Sequence, residues 1–341
     1  EQKSIIRSGK KSSRLSRSFD DMKQVRTSII FCLAMAFVVV ADAWAPALSG
    51  RIGGQNAMAA SSACRAGRVG LTKASAAGTD TVTIVGSGRI GGLLAQGGES
   101  TMVGREDSID PEGSGPILVA TRNDALDGIV DKCPENRRKD LVFLQNGYLD
   151  DFLSSKGLME NTQALLYLSV TKVGAEPIDG VTALNPEGLT AASGEHAQAL
   201  ADRLTALHLK CKVVTPEDYR PAMFEKLIWI STYMLVGTAK ECKSVGEAGS
   251  VHKDLVEKVI NELVAGVSAK EGITFPDGTV ERLASYTDVV TDFPCAVKEF
   301  EWRNEYFYKL GDEVCPTHNG LLKECAEKGL IGFELPPSAS S

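Results

Sequence analysis

Short apolar runs bounded by glycine and polar clusters fill the chain from residue 81 to residue 170, and longer helical stripes replace them from residue 215 onward. Thr81-Val82-Thr83-Ile84-Val85 is a β-branched run of strand length, and a second short strand is expected over residues 101–103. Ile117-Leu118-Val119-Ala120 and Leu141-Val142-Phe143-Leu144 are unbroken apolar runs. Each ends in polar residues, Thr121-Arg122-Asn123 in one case and Gln145-Asn146-Gly147 in the other. This is the pattern of parallel strands buried on both faces, whose carboxyl ends open towards ligands. Further strands are expected over residues 164–170 and 209–214.

Thr215-Pro216-Glu217-Asp218 combines a hydroxyl cap, a proline in the first turn and two acids near the positive end of the helix dipole. It predicts a helix start. Phe224, Leu227, Ile228, Ser231, Met234 and Leu235 then mark one helical stripe, and Leu255, Val259, Leu263 and Val267 another, with Gly272 and Gly278 at the joins. The first strand turns directly into Gly86-Ser87-Gly88-Arg89-Ile90-Gly91, the spacing of a dinucleotide-binding turn. Gly86 allows the turn, Gly88 lets backbone approach a pyrophosphate, and Gly91 lets the next helix pack closely on the strand. In a chain with 33 glycines the spacing alone means little; the flanking strand and helix give it weight.

The expected fold class is therefore α/β. A Rossmann-type dinucleotide-binding domain over 80–216 is followed by an all-helical substrate or dimerisation domain over 217–335, with the default catalytic cleft between them. The nucleotide domain looks trimmed, because only eleven residues separate Arg105 from Ile117 and leave little room for the usual third strand and its helices. Arg105 stands after the second strand, where an arginine suits the 2′-phosphate of NADP and a carboxylate suits the free hydroxyl of NAD. A solvated arginine is the alternative, and Glu106 and Asp107 follow it directly. Arg122 and Asn146 fall where cofactor or substrate would lie, with a surface charge and an Asn-Gly turn as the respective alternatives.

Charge divides the chain. Of 37 Lys+Arg and 44 Asp+Glu, residues 1–79 hold 12 and 4 and the remainder holds 25 and 40, so the net −7 splits into +8 and −15. Residues 1–21 read as leader before a start at Met22. The basic Met22-Lys23-Gln24-Val25-Arg26 precedes twelve unbroken apolar residues, 29–40, and then the small-x-small Ala41-Asp42-Ala43. That is a signal peptide, too short for a membrane span. Residues 44–78 are rich in Ala, Ser and Gly, carry Arg51, Arg65, Arg68 and Lys73 and lack acids, which is transit-peptide composition. The combination, with Trp44-Ala45-Pro46 at the cut, resembles the bipartite presequence of algae with complex plastids, which implies delivery to the plastid stroma. Simple secretion with a Ser/Ala-rich amino terminus is the alternative.

From residue 80 the six cysteines, 133, 211, 242, 295, 315 and 325, show no CxxC spacing, and the four histidines, 196, 208, 252 and 318, stand far apart. Neither a disulfide framework nor a metal centre is expected. The acidic mature chain lacks a basic stripe, so nucleic acid is a poor partner, and no membrane association of the mature form is expected.

Two residues could carry chemistry. Lys226 lies in Phe224-Glu225-Lys226-Leu227-Ile228-Trp229-Ile230, and apolar surroundings would lower its pKa and suit it to proton donation. A snorkelling, ion-paired lysine is the bland alternative. In Lys298-Glu299-Phe300-Glu301-Trp302-Arg303-Asn304-Glu305-Tyr306-Phe307-Tyr308, helical spacing would put Glu299, Trp302, Arg303 and Tyr306 on one face. That brings a carboxylate to a cleft, or simply forms a Glu299–Arg303 ion pair.

This ordered set of segments resembles the ketopantoate reductase (2-dehydropantoate 2-reductase) family across nearly all of residues 80–330. The glycine turn, Arg105, Arg122 and Phe143-Leu144-Gln145-Asn146-Gly147 are similar to the family's cofactor segments. Glu225-Lys226-Leu227 and Glu299-Phe300-Glu301-Trp302-Arg303-Asn304 are similar to its Lys-Leu helix and its Glu-Ile-Asp-aromatic-x-Asn segment. The resemblance implies NADP as cofactor, bound by Gly86, Ser87, Gly88, Arg89, Ile90, Gly91, Arg105, Arg122 and Asn146. It implies Lys226 as general acid, Glu299 as the ligand of a substrate hydroxyl, and Asn146, Ser231 and Asn304 at a small-molecule substrate, in a chain for which a homodimer is left open. Ile230 stands where the family has an asparagine four residues after the lysine, and Glu305 replaces a glycine. These departures touch the substrate side of the site and point to a divergent plastid member acting on another 2-oxo acid or related carbonyl compound. A non-catalytic NADPH-binding regulator or assembly protein is the alternative. A β-hydroxyacid dehydrogenase type is weaker, since its Lys-x-x-Asn pattern meets Trp229 here.

Overall fold

The computed structural model describes residues 81–337; the leader, signal peptide and transit peptide expected over 1–79 lie outside the described residues. Seven strands form one sheet in the order β2-β1-β3-β4-β5-β8-β9. They are β1 (Val82–Val85), β2 (Ser100–Val103), β3 (Ile117–Val119), β4 (Leu141–Phe143), β5 (Gln163–Leu165), β8 (Ala191–Ser193) and β9 (Lys212–Val213). The strands from β2 to β5 pair in parallel, and β8 joins β5 antiparallel. A small hairpin, β6 (Leu168–Ser169) with β7 (Ile178–Asp179), stands apart.

The period of two along each strand sorts the sheet's side chains into two cores. Ile84, Leu118 and Val142 face one cluster with Leu93 and Leu94 of α1 (Arg89–Leu94) and Leu200 and Leu204 of α4 (Ala197–Ala206). Val85, Ile117, Val119, Leu141 and Phe143 face the other, with Leu126 and Val130 of α2 (Leu126–Lys132) and Leu153 of α3 (Asp150–Lys156). Both faces are covered, which is why β3 and β4 read as solid apolar runs. As expected from the short spacing, no helix intervenes between β2 and β3, and β2 is the edge.

The helical half is built on α5 (Pro216–Ala239), surrounded by α6 (Val245–Val251), α7 (Lys253–Glu271), α8 (Thr279–Val289) and α10 (Pro316–Glu327). The Thr215 hydroxyl accepts from the Asp218 amide at 3.2 Å, a cap worth about 1 kcal/mol. The single stripe expected on α5 is corrected: every residue from 223 to 233 is buried, because the helix packs on its neighbours and on β5 and β8 at once.

Three other expectations are revised. Residues 164–170 do not form one strand: the ladder stops at Leu165, the Leu166 carbonyl accepts from the Lys226 ammonium, and the Tyr167 amide donates to the Thr190 hydroxyl at 2.9 Å. Residues 209–211 are not in a strand, because the amides of His208 and Leu209 close the end of α4 on the carbonyls of Thr205 and Leu204. The segment at 298–308 is not one helix. Glu299 takes a left-handed backbone (φ 51°), a 3-10 turn covers Phe300–Trp302, and α9 begins only at Asn304 (Asn304–Lys309).

Candidate active site

The glycine turn after β1 is held by contact. A Cβ on Gly91 would stand 1.8 Å from the Gly86 carbonyl oxygen, and Gly86 itself has φ +103° with the Ala120 carbonyl 2.9 Å from where its Cβ would be. Around a Cβ on Gly88, by contrast, there is nothing within 4 Å. The turn is thus closed towards the sheet at Gly86 and Gly91 and open at Gly88, the arrangement a pyrophosphate needs. Beyond it lies a cavity of about 580 Å³, lined by Gly86 and Ser87 after β1, Arg105 after β2 and Arg122 after β3. It sits at the point where the sheet order reverses, outside the carboxyl ends of the strands.

Three cations meet there: Arg105, Arg122 and Lys132, the last from the final turn of α2. No sequence pattern pointed to Lys132, because α2 carries no strong periodicity. Asp107 accepts from the Gly104 amide at 2.8 Å, so its carboxylate folds back on its own loop beside Arg105. Arg122 pairs with Asp124 at 2.8 Å, both largely in solvent. Arg89 reaches the other way, donating to the Val170 carbonyl at 3.1 Å, and Ile90 packs into the core, so both hold the turn in place rather than face the cavity.

A second, tight cavity lies beyond β4 and β5, lined by Gln145, Asn146, Gly147, Asp150, Tyr219 and Lys226 among others. At about 10 Å³ it has room for one water. Gln145 places this corner: its buried amide donates to the carbonyls of Val119 at 2.8 Å and Thr121 at 3.2 Å, and its oxygen accepts from the Leu144 amide. Asn123 donates to the Asn146 carbonyl at 3.1 Å. Lys226 is 7% exposed. Its ammonium donates to the Leu166 carbonyl and stands 4.2 Å from the centre of the Tyr167 ring. Burial, and then the nearby Arg303 charge, pull its pKa down to about 7.

No protein-family model matches the sequence, and no curated protein does. Solved structures do. The PanE/ApbA family ketopantoate reductase from Ralstonia eutropha JMP134 is 17% identical with a TM-score of 0.55, over 73% of this chain and 98% of its own. The 2-dehydropantoate 2-reductase from Methylococcus capsulatus is 16% identical with a TM-score of 0.55, over 75% and 99%. The fold is that of the ketopantoate reductases. D-mandelate dehydrogenase in complex with NADH is 16% identical with a TM-score of 0.50, over 73% and 98%.

Within the ketopantoate reductase fold, Lys226 and Asn146 come together and three other expected substrate residues do not line their cavity. Glu299 is half-buried, and its carboxylate accepts from Arg303. Ser231 lies five residues past Lys226, roughly 140° round the helix, and its buried hydroxyl has no hydrogen-bond partner. Asn304 is turned into the core, where its amide meets His318 Nε2 at 3.0 Å while His318 Nδ1 meets Asn319 at 2.9 Å. The start of α9 at Asn304, forced by the break at 299–303, turns this side chain away.

Two features of this corner were not expected from the sequence. Arg220 bridges Asp150 of the sheet half to Glu271 at 2.7 Å, and Tyr306 donates to Glu271 at 2.8 Å, so an ion-pair network leads away from the one of its members, Asp150, that lines the Lys226 cavity. Arg303 is the other; its spacing from Glu299 suggested no more than an ion pair. Burial raises the thiol pKa of all six described cysteines, to about 12 at Cys211 and Cys315 and about 11 at Cys295 and Cys325.

Proposed function

We propose that the chain is an NADPH-dependent reductase of a 2-oxo acid or related small carbonyl compound, with Lys226 as general acid. The observation that supports this most is the pairing of a buried, pKa-lowered lysine with Asn146 in one cavity, next to a glycine-turn cavity that suits a dinucleotide. A structural lysine would be placed against a carboxylate; Lys226 instead has a carbonyl, an aromatic face and a second cation around it. The dinucleotide, when bound, supplies the hydride. Lys226 holds its proton at the carbonyl oxygen as charge develops there, Asn146 orients the carbonyl, and Glu299 is the ligand for a substrate hydroxyl. The cavity's present size means that a substrate displaces lining side chains, of which Met223 is the most yielding.

The cations around the glycine-turn cavity support NADP over NAD, with Arg105 as the 2′-phosphate ligand. The composition of residues 1–79 supports plastid delivery, which import of a tagged chain into isolated plastids would test. One observation favours the second reading, a non-catalytic NADPH-binding protein: Ile230 and the engaged Asn304 leave fewer polar groups for substrate than the family pattern implies.

The deciding experiment follows NADPH and NADH oxidation at the nicotinamide absorbance with ketopantoate and a panel of 2-oxo acids. Turnover that falls about 10²- to 10⁴-fold in Lys226→Ala, with NADPH affinity retained, is the expected result. Tight NADPH binding without turnover across the panel would move the assignment to the binding protein, and full turnover by Lys226→Ala would remove the role given to it.

A further inference from the structure

Arg303 occupies the turn that the sheet half docks against: the Tyr148 amide donates to the Trp302 carbonyl at 2.7 Å, one residue from Gly147 and two from Asn146. Its side chain is 18% exposed. One terminal nitrogen donates to Glu299, while Nε is buried without any hydrogen-bond partner. A buried guanidinium N–H left unpaired is costly, and its planar edge is shaped for a carboxylate.

The charges around it leave a vacancy of one sign. Asp150, in the Lys226 cavity, is committed to Arg220. Glu225, beside Lys226 on α5, is committed to Arg282 and Thr279. The Lys226 ammonium meets a carbonyl and an aromatic ring, and the carboxylate paired with Arg303 is Glu299.

We propose that Arg303 is the anchor for the substrate's carboxylate, its unpaired Nε receiving the anion while Glu299 holds one terminal nitrogen and competes for the same charge. This rests on the reductase reading for the carbonyl beside it, but the anion site stands or falls separately. A consequence concerns Lys226. The Leu166 carbonyl and the Tyr167 ring face it, Tyr219 and Asp150 line the same cavity, and the Arg303 charge acts on it from behind that lining. Of these, Arg303 is the charge that repels its proton. A carboxylate docked on Arg303 offsets that repulsion, so Lys226 holds its proton more firmly when an acid is bound. A neutral carbonyl compound gives no such help. The site thus selects 2-oxo acids by proton supply as well as by grip.

A purely structural Glu299–Arg303 pair predicts something different: its loss would lower stability and affect acidic and neutral substrates alike. The test uses the full chain with NADPH present and titrates oxamate, the unreactive amide isostere of a 2-oxo acid, by fluorescence. Arg303→Gln is expected to weaken oxamate roughly 10- to 100-fold, the range of a charge-assisted hydrogen bond, with NADPH affinity unchanged. Arg303→Lys, which keeps the charge but loses the fork, should recover part of it. Glu299→Gln, which removes the competing carboxylate and leaves Arg303 in place, should tighten oxamate.

In turnover, Arg303→Gln should lower the ratio of kcat/KM for a 2-oxo acid over that for its amide by a similar factor. The alkaline limb of the wild-type kcat profile should also lie higher for the acid than for the amide. Equal oxamate affinity in wild type and Arg303→Gln, weaker oxamate in Glu299→Gln, or no oxamate binding by the wild type overturns the anchor, whatever the protein reduces. Oxamate binding lost in Arg303→Gln by a wild type that reduces no carbonyl compound would keep the anchor and sink the reductase reading instead.

Discussion

The backbone amide of Tyr148 donates to the carbonyl of Trp302 at 2.7 Å, and this bond holds the Asn146-Gly147 turn of the sheet against the turn that carries Glu299 and Arg303. Two segments over 150 residues apart in sequence are thereby set at one corner. The closeness depends on Gly147, whose φ is +146° and whose Cβ, if it had one, would stand 2.5 Å from the Trp302 oxygen.

Gly147→Ala therefore combines backbone strain with a clash against backbone, and should destabilise the protein by about 2 to 4 kcal/mol. Denaturant unfolding monitored by Trp302 and Trp229 measures this. A loss under about 0.5 kcal/mol would show that the two turns separate freely, as surface substitutions do.

The glycine turn yields a contrast between two alanines. Gly91→Ala places its methyl 1.8 Å from the Gly86 oxygen, so it must push α1 off the sheet and reduce both stability and dinucleotide affinity. Gly88→Ala meets nothing within 4 Å. It should leave stability within about 1 kcal/mol while weakening NADPH by about tenfold or more, because the methyl occupies the space a phosphate would use. Thermal melts and NADPH titration of both variants check this; undiminished NADPH affinity in Gly88→Ala would take the pyrophosphate away from this turn.

Lys226 opposes folding wherever it is charged in the unfolded chain and resists charging in the folded one. Its pKa drops from the ordinary 10.5 to about 7, so the unfolded state binds more protons between those values, and stability from this residue rises with pH across that window. Below about pH 7 the full penalty applies. Lys226→Met should therefore raise the Tm most at pH 6 and progressively less towards pH 10, while abolishing turnover. A Tm difference independent of pH would mean that Lys226 is not neutralised by burial.

His318 acts in the opposite pH range. Burial lowers its pKa to about 4, so the unfolded state takes up a proton first, and stability falls as pH drops from about 6.5 towards 4. The loss is at most on the order of 3 kcal/mol, from about 1.4 kcal/mol for each pKa unit. His318→Gln, which keeps hydrogen bonding to Asn304 and Asn319, should flatten this part of the stability profile; an unchanged acid slope would place the titration elsewhere.

Periodicity and turn chemistry made much of this architecture legible from the sequence. The runs at Ile117 and Leu141 are solidly apolar because parallel strands are covered on both faces, and the glycine spacing records contacts that no Cβ allows. The Thr215 cap needed only the four residues that make it. These are local signals, set within a few residues by sterics and hydrogen bonding. Lys226 could be picked out because its neighbours along one helix are apolar.

Tertiary structure alone decided the rest. The strand expected at 164–170 breaks because a lysine 60 residues further on takes the Leu166 carbonyl. The helix expected at 298–308 breaks where the Trp302 carbonyl turns to meet Tyr148, and that break sends Asn304 to His318 and leaves Arg303 near enough for its charge to act on Lys226. Helical spacing could pair Glu299 with Arg303 but had no means of placing either against a residue on another helix. A backbone group satisfied by a distant partner leaves no trace in local pattern, so the site's scaffold was readable and its charge arrangement was not.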